Sequence, residues 1–235
     1  MTTTAVRPGA DARELLAERA GLADAAAAVL REEARLRADV VALVDAYRDR
    51  GFPATIVRPS HTYDRTLVPL DGGWTALERM RQGKEVVVHG DGTSLWTLTH
   101  HEDFAKGLVG LLGHPRTLGE AFHITSDDVL TWDQITHALA RAAGVEAKIV
   151  HVPSDAIAVA YPAWGAGLLG DKAHSSLFDT AKVQALVPEF ATTITFDEGA
   201  RRILAHYDAN PGARVVDAEL DARFDRMIAH ARSAG

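Results

Sequence analysis

Phe52-Pro53-Ala54-Thr55-Ile56-Val57-Arg58-Pro59-Ser60-His61-Thr62-Tyr63-Asp64 is the stretch on which the fold turns. At its centre is a short β-branched run closed by a proline. Such a run suits a buried strand, and Pro59, lacking an N–H for the ladder, marks its end. Upstream the texture differs. From Ala10 to Arg50 the chain is rich in Ala, Leu, Arg and Glu, with no Pro and a single Gly at position 21. Leu15, Leu16, Leu22, Ala26, Val29, Leu30, Leu36, Val40, Val44 and Tyr47 follow a helical spacing. The spacing predicts two helices broken near Gly21, the second stopped by Gly51. Residues 1–9 are small and polar and read as a loose tail.

Downstream, short strands alternate with helices. The pattern predicts helix over 73–82, strand over 85–89, a turn at Gly90-Asp91-Gly92 and strand over 94–99. Helix follows over 102–112, strand over 121–125, and a helix N-capped by Thr131. Strand over 148–152 and helix over 154–161 come next. Residues 162–178 read as irregular, and helices return near 179–186, 197–209 and 217–232. Alternation of this kind implies an α/β fold.

Composition narrows the function. The 235 residues are 47% hydrophobic and 24% charged, enough to bury a core in one domain. The formal net charge of −7, with no long basic cluster, argues against nucleic acid as the main partner. No apolar run reaches the ~18 residues of a membrane span. There are no cysteines, which excludes disulfide scaffolds, thiolate metal sites and cysteine nucleophiles and fits a reducing cytoplasm. The first residues lack the basic-then-apolar order of a secretory signal.

Three segments in series carry a resemblance. The first is the opening stretch, Phe52 to Asp64. The second is Val86-Val87-Val88-His89-Gly90-Asp91-Gly92 followed by Thr99-His100-His101-Glu102-Asp103-Phe104-Ala105. The third is Ala121-Phe122-His123-Ile124-Thr125-Ser126-Asp127 with Leu130-Thr131-Trp132. Together with Asp179-Thr180-Ala181-Lys182 and Leu186-Val187-Pro188, their order resembles the C-terminal half of the extended short-chain dehydrogenases/reductases, the NAD-dependent epimerase/dehydratase group, over roughly residues 38–210. The resemblance implies a reduced, truncated Rossmann-like sheet. A helical segment over 10–50 stands in for the nucleotide-binding half, and a substrate-binding region spans 51–235 and ends in small helices.

The family's redox apparatus does not carry over. Its Gly-rich cofactor turn between strand and helix has no counterpart, since Gly90-Asp91-Gly92 matches a hairpin of the family and not the cofactor loop. Its Tyr and Lys, four apart on a helix, align near Glu32 and Leu36. The only tyrosine in the first 60 residues is Tyr47, with Gly51 four residues on. The expectation is therefore an enzyme without NAD(P) and without a metal. It would perform an isomerisation, cyclisation, dehydration or lyase step on a small, rather apolar metabolite.

The residues expected to carry that chemistry are His61, Tyr63 and His174. An imidazole can move a proton near neutrality without a cofactor, and a phenol can donate to an oxyanion. Ser60, Trp74, Trp96, His100, Trp164, Asp171 and Lys172 are expected to bind substrate. Where sugar-nucleotide epimerases carry an arginine on the strand after the "G-D-G" turn, this chain has Ser94-Leu95-Trp96-Thr97-Leu98, an indole in place of a cation, which disfavours a diphosphate. Trp164 to Ser176 sits where relatives carry a substrate-covering loop, with glycines for mobility and a tryptophan wall. Two alternatives stand beside the enzyme. One is a non-catalytic binding protein or subunit, pairing as a homodimer through its N-terminal helices. The other is an NAD-dependent epimerase or reductase whose nucleotide site another chain completes.

Overall fold

The computed structural model describes residues 38–233, together with Ala28, Arg31, Glu32, Arg35 and Leu36. The expected tail over 1–9 and the helix break near Gly21 lie outside the described residues. Helix α1 covers 38–48 and ends where the sequence places its stop, with Gly51 at φ +83°. Strand β1 is Ile56–Pro59 and β2 is His61–Tyr63. Helix α2 (Gly73–Arg81), strand β3 (Glu85–His89) and strand β4 (Leu95–His100) follow. Next come α3 (His101–Leu111), β5 (Ala121–Ile124), β6 (Val129–Thr131), α4 (Trp132–Ala142) and β7 (Lys148–Val152). Helices α5 (Ser154–Ala160), α6 (Pro162–Gly167), α7 (Ala181–Leu186), α8 (Phe196–Ala209) and α9 (Ala218–Ser233) complete the chain.

The strands form three small sheets. β1 pairs with β5 in parallel, Ile56 opposite Ala121 and Pro59 opposite Ile124. β3 pairs with β7 in parallel. β4 is central in the third sheet, parallel to β2 and antiparallel to β6. Parallel pairing needs a crossover, and the helices between paired strands supply it. The architecture is α/β, a partial Rossmann-like fold with small helices toward its end, as the sequence implies.

Three differences from the sequence reading have physical causes. Pro59 ends β1, but the strand character does not stop there. It continues as β2, because Thr62 and Tyr63 suit a strand and β4 offers an edge to pair with. β6 was invisible to periodicity because it is only Val129–Thr131. Residues 162–178 are not irregular throughout: α6 is followed by a π-helical turn over Leu168–Lys172. Pro162 opens α6 where its missing N–H costs nothing. Gly165 is there for close packing, since a Cβ on it would come within 2.7 Å of the Ala158 Cβ on α5.

One core holds the site. Tyr63, Trp96 and Leu98 from one sheet pack with Trp132, Ile135 and Leu139 of α4 and with Phe196 and Ile203 of α8. α4 is started by a full capping box: Thr131 Oγ1 accepts from the Gln134 N–H at 3.1 Å, and Gln134 Oε1 accepts from the Thr131 N–H at 2.8 Å. α3 is pinned by Asp103, whose Oδ2 accepts from the N–H groups of Thr193 and Ile194 at 3.0 and 2.9 Å. No helix among the described residues is long and apolar enough to cross a membrane.

Candidate functional site

Strand pairing sets the site's first contact. His61 on β2 lies opposite Leu98 on β4, two residues along from Trp96. The Trp96 indole Nε1–H donates to His61 Nδ1 at 3.3 Å. The Trp96 ring meets Trp132, the first residue of α4, at 5.5 Å between centroids. Over Trp132 sits the Lys172 ammonium, 5.6 Å from the ring centroid, and Lys172 Nζ pairs with Asp71 Oδ1 at 2.6 Å. His89, the last residue of β3, sets its edge to Trp132 at 5.1 Å. Its Nε2 lies 3.0 Å from the Lys172 carbonyl, which can only accept, so His89 donates. Ser94 Oγ donates to the same carbonyl at 2.8 Å. Lys172 is thus fixed at its backbone and its head.

The electrostatics follow from burial. His61 is pushed down to about 4, first by loss of solvent and then by the Lys172 cation, with Asp71 opposing. Burial likewise lowers His89 and His100. The Lys172–Asp71 pair keeps about a fifth of each side chain exposed, so it is within reach of a ligand. A small cavity of about 20 Å³, room for one water, lies beside Asp71. Asp71, His89, Trp132, Thr136 and Trp164 are among its lining residues. The Trp132 Nε1–H is buried and meets no acceptor among the described residues.

Of the residues singled out from sequence, the structure brings His61, Trp96, Lys172 and Trp164 to this cluster. Asp171 and His174 are exposed beside it, the His174 N–H donating to the Asp171 carbonyl at 3.0 Å. The rest sit elsewhere. Tyr63 shares the His61 strand, but its hydroxyl is sealed without a partner against α8, where a Cβ on Gly199 would be 2.0 Å away. Burial, together with the fields of Asp128 and Asp103, raises its pKa. Trp74 is a core residue stacked on Tyr207 at 4.4 Å. His100 caps α3, its Nδ1 accepting from the Glu102 N–H at 3.3 Å. Ser60 is bonded to Thr99 at 2.7 Å, and Thr99 Oγ1 accepts from the Ser126 N–H, tying three strand ends together. Asp71, His89 and Trp132 were not singled out. Asp71 follows an unremarkable Val-Pro-Leu, and no local pattern signals that it meets a lysine 101 positions later.

The Gly90-Asp91-Gly92 turn does not fit the pyrophosphate of a dinucleotide. A pyrophosphate needs open backbone beside a glycine turn. At Gly92 (φ +73°) that space is filled: a Cβ would lie 2.0 Å from Asp133 Oδ1 and 2.7 Å from His151 Nε2. A carboxylate occupies the place an anion would need. Glu32 and Leu36, at the positions where the family's Tyr and Lys align, are both exposed, and Glu32 pairs with Arg35 at 2.9 Å. Among the described residues no group of three or more His, Asp or Glu side chains could hold a metal ion.

Comparison with known proteins places this geometry. Residues 37–125 match the model of the NAD dependent epimerase/dehydratase family. A chloroplast stem-loop binding protein of 41 kDa from Arabidopsis thaliana is 28% identical over 105 residues, 44% of this chain and 28% of that protein. A UDP-glucose 4-epimerase from Thermotoga maritima aligns with a TM-score of 0.56 at 19% identity, over 73% of this chain and 51% of that one. A UDP-glucuronic acid 4-epimerase from Bacillus cereus gives 0.54 at 19% identity, over 75% and 50%. A dTDP-glucose 4,6-dehydratase from Streptomyces venezuelae gives 0.53 at 22% identity, over 71% and 47%. The chain therefore spans about half the length of the solved structures it matches. In its motifs and over residues 37–125 the chain resembles the NAD-dependent epimerase/dehydratase family, and its fold is similar to part of the solved epimerases and dehydratases.

Proposed function

We propose that the protein binds a small metabolite, an acceptor oxygen on an apolar body, at the cluster of His61, Trp96, Trp132, Lys172 and Asp71. There it carries out a non-redox step such as isomerisation, cyclisation or dehydration. One observation carries the reading: a half-buried Lys172–Asp71 pair held over Trp132 beside a histidine that burial keeps neutral. Charged groups on an apolar, partly desolvated wall can orient a ligand and exchange a proton with it, and positioning alone supplies useful acceleration. Asp71 is the group able to take a proton, Lys172 the group able to anchor an oxygen. The indoles form the apolar wall. The lack of cysteine supports a cytoplasmic setting. A metabolite screen by thermal shift tests this: a hit must lose its effect in Lys172→Met and Asp71→Asn. A hit that survives both changes removes the site.

A second reading has its own support. β1 has β5 as its single neighbour among the described residues, and Tyr47 and Phe52 are exposed near its entry. An open parallel edge beside exposed aromatics suits further strands. In this reading another polypeptide supplies the nucleotide-binding half, and the assembled protein is an NAD-dependent epimerase or reductase. Fluorescence titration with NADH and NADPH decides: micromolar binding only after a companion chain is added favours the second reading, and no binding under either condition favours the first.

A further inference from the structure

We propose that Trp96 is a positioning residue that locks His61 in its Nε2–H tautomer, so that His61 serves the site as a hydrogen-bond donor to a carbonyl or carboxylate oxygen and not as a base. This rests on the reading of the cluster as a ligand site and deepens it.

The argument begins with what an indole can do. Nε1–H donates and has no lone pair to offer. The His61 Nδ1 that meets it at 3.3 Å must therefore carry no proton. A neutral imidazole has one ring proton, which leaves it on Nε2. Among the described residues no hydrogen-bonding group meets that atom. His61 is half-buried, not sealed, so the Nε2–H is available to a ligand.

The neighbours hold the ring neutral. The Lys172 cation disfavours a second positive charge, and the Asp71 carboxylate that could favour one is already bonded to Lys172 at 2.6 Å. A neutral imidazole N–H is a poor proton source but a good fixed dipole. Aimed at a developing oxyanion it stabilises charge without giving up its proton.

Trp96 is also held rigidly. It sits on the central strand, opposite Leu130 of β6 and against Trp132. The Leu95 N–H donates to Ser175 Oγ at 3.0 Å, and the Leu95 carbonyl accepts from the Ser176 N–H at 2.9 Å, fastening the residue before it. A phenylalanine would pack the same wall; only the indole sets the tautomer. The ligand class follows. A single neutral donor beside a lysine already balanced by Asp71 matches a carbonyl or one carboxylate, and leaves a diphosphate undercompensated.

Long-range proton–nitrogen correlation spectra of the full chain, labelled with nitrogen-15 at histidine, read the tautomer directly from about pH 5 to 8. His61 is assigned by its loss in His61→Gln. The expected wild-type spectrum shows unprotonated Nδ1 and protonated Nε2. Trp96→Phe is expected to give a mixture of tautomers. A protonated Nδ1 in the wild type, or a Trp96→Phe spectrum like the wild type, overturns the proposal. Titration of the uniformly nitrogen-15-labelled chain with pyruvate, read also at Lys172 and Trp132, separates it from the reading beneath it. A shift of the His61 Nε2–H whose apparent affinity falls about twofold in Trp96→Phe, in step with the loss of the Nε2–H tautomer, supports the donor role. Shifts at Lys172 and Trp132 without one at His61 overturn the donor role and leave the site. No shift at any of the three overturns the site.

Discussion

At the scale of single residues, burial separates two neighbours that the sequence treats alike. His61 and Tyr63 are both polar aromatics on β2, but one hydroxyl is sealed and one ring is not. The Tyr63 hydroxyl is a buried group without a partner, so removing it should not cost stability. Tyr63→Phe is expected to leave the urea midpoint unchanged or to raise stability by about 1 kcal/mol. Gly199→Ala is expected to cost about 2 kcal/mol from overpacking when Tyr63 is intact, and measurably less when combined with Tyr63→Phe. Equal costs in both backgrounds would refute the contact. The histidines predict acid sensitivity. His61 folded titrates at about 4 against 6.5 when free, so the unfolded chain binds the extra proton first. Its contribution is complete above about pH 6.5 and is lost as pH falls toward 4. His89, His100 and His123, each lowered by burial, push the same way. Denaturation midpoints should fall steadily across that window, and His61→Gln should flatten the slope.

At the scale of elements, the position of α3 depends on one carboxylate. Burial works against the Asp103 anion, yet Lys106 and the N–H groups of Ile194 and Thr193 outweigh it and hold its pKa below the usual range. Asp103 is 1% exposed and joins the start of α3 to the segment leading into α8. Asp103→Ala leaves the buried Ile194 N–H unmatched and takes one partner each from the Thr193 N–H and Lys106, and is expected to cost about 2 kcal/mol, read by urea unfolding. Because the folded pKa is depressed, this contribution is present above the ordinary carboxylate pKa and disappears in acid below it. Sequence revealed the element, since Glu102-Asp103 favours a helix N-terminus. It gave no hint that the partner is a backbone turn 90 residues away.

At the scale of the whole molecule, the helical residues before Gly51 carry an exposed apolar face among the described residues. Leu36, Val40, Leu43 and Tyr47 are 53%, 61%, 58% and 51% exposed, spaced by four, three and four residues. That spacing is the seam by which two helices pack along each other. Pairing of two copies through this face remains our proposal for the protein's partner. In sedimentation, Val40→Lys with Leu43→Glu is expected to lower self-association at least tenfold; an unchanged monomer in wild type and variant counts against it.

The helices and strands were legible because each is encoded locally. Ile56-Val57 before a proline, Glu85 to His89, the capping pair Thr131 and Gln134, and the spacing of 196–209 all act over a few residues. The resemblance was legible for the same reason, through motifs whose order survives in one dimension. The site was legible only in part. His61, Trp96, Trp164 and Lys172 stood out as residue types near expected loops, while Asp71, His89 and Trp132 did not. Tyr63 reads from sequence as a catalytic donor, and only its packing against α8 seals it. Which groups are neutral, which nitrogen holds a proton and which hydroxyl is buried depend on charges and surfaces far apart in the chain, because desolvation and Coulomb forces act through space.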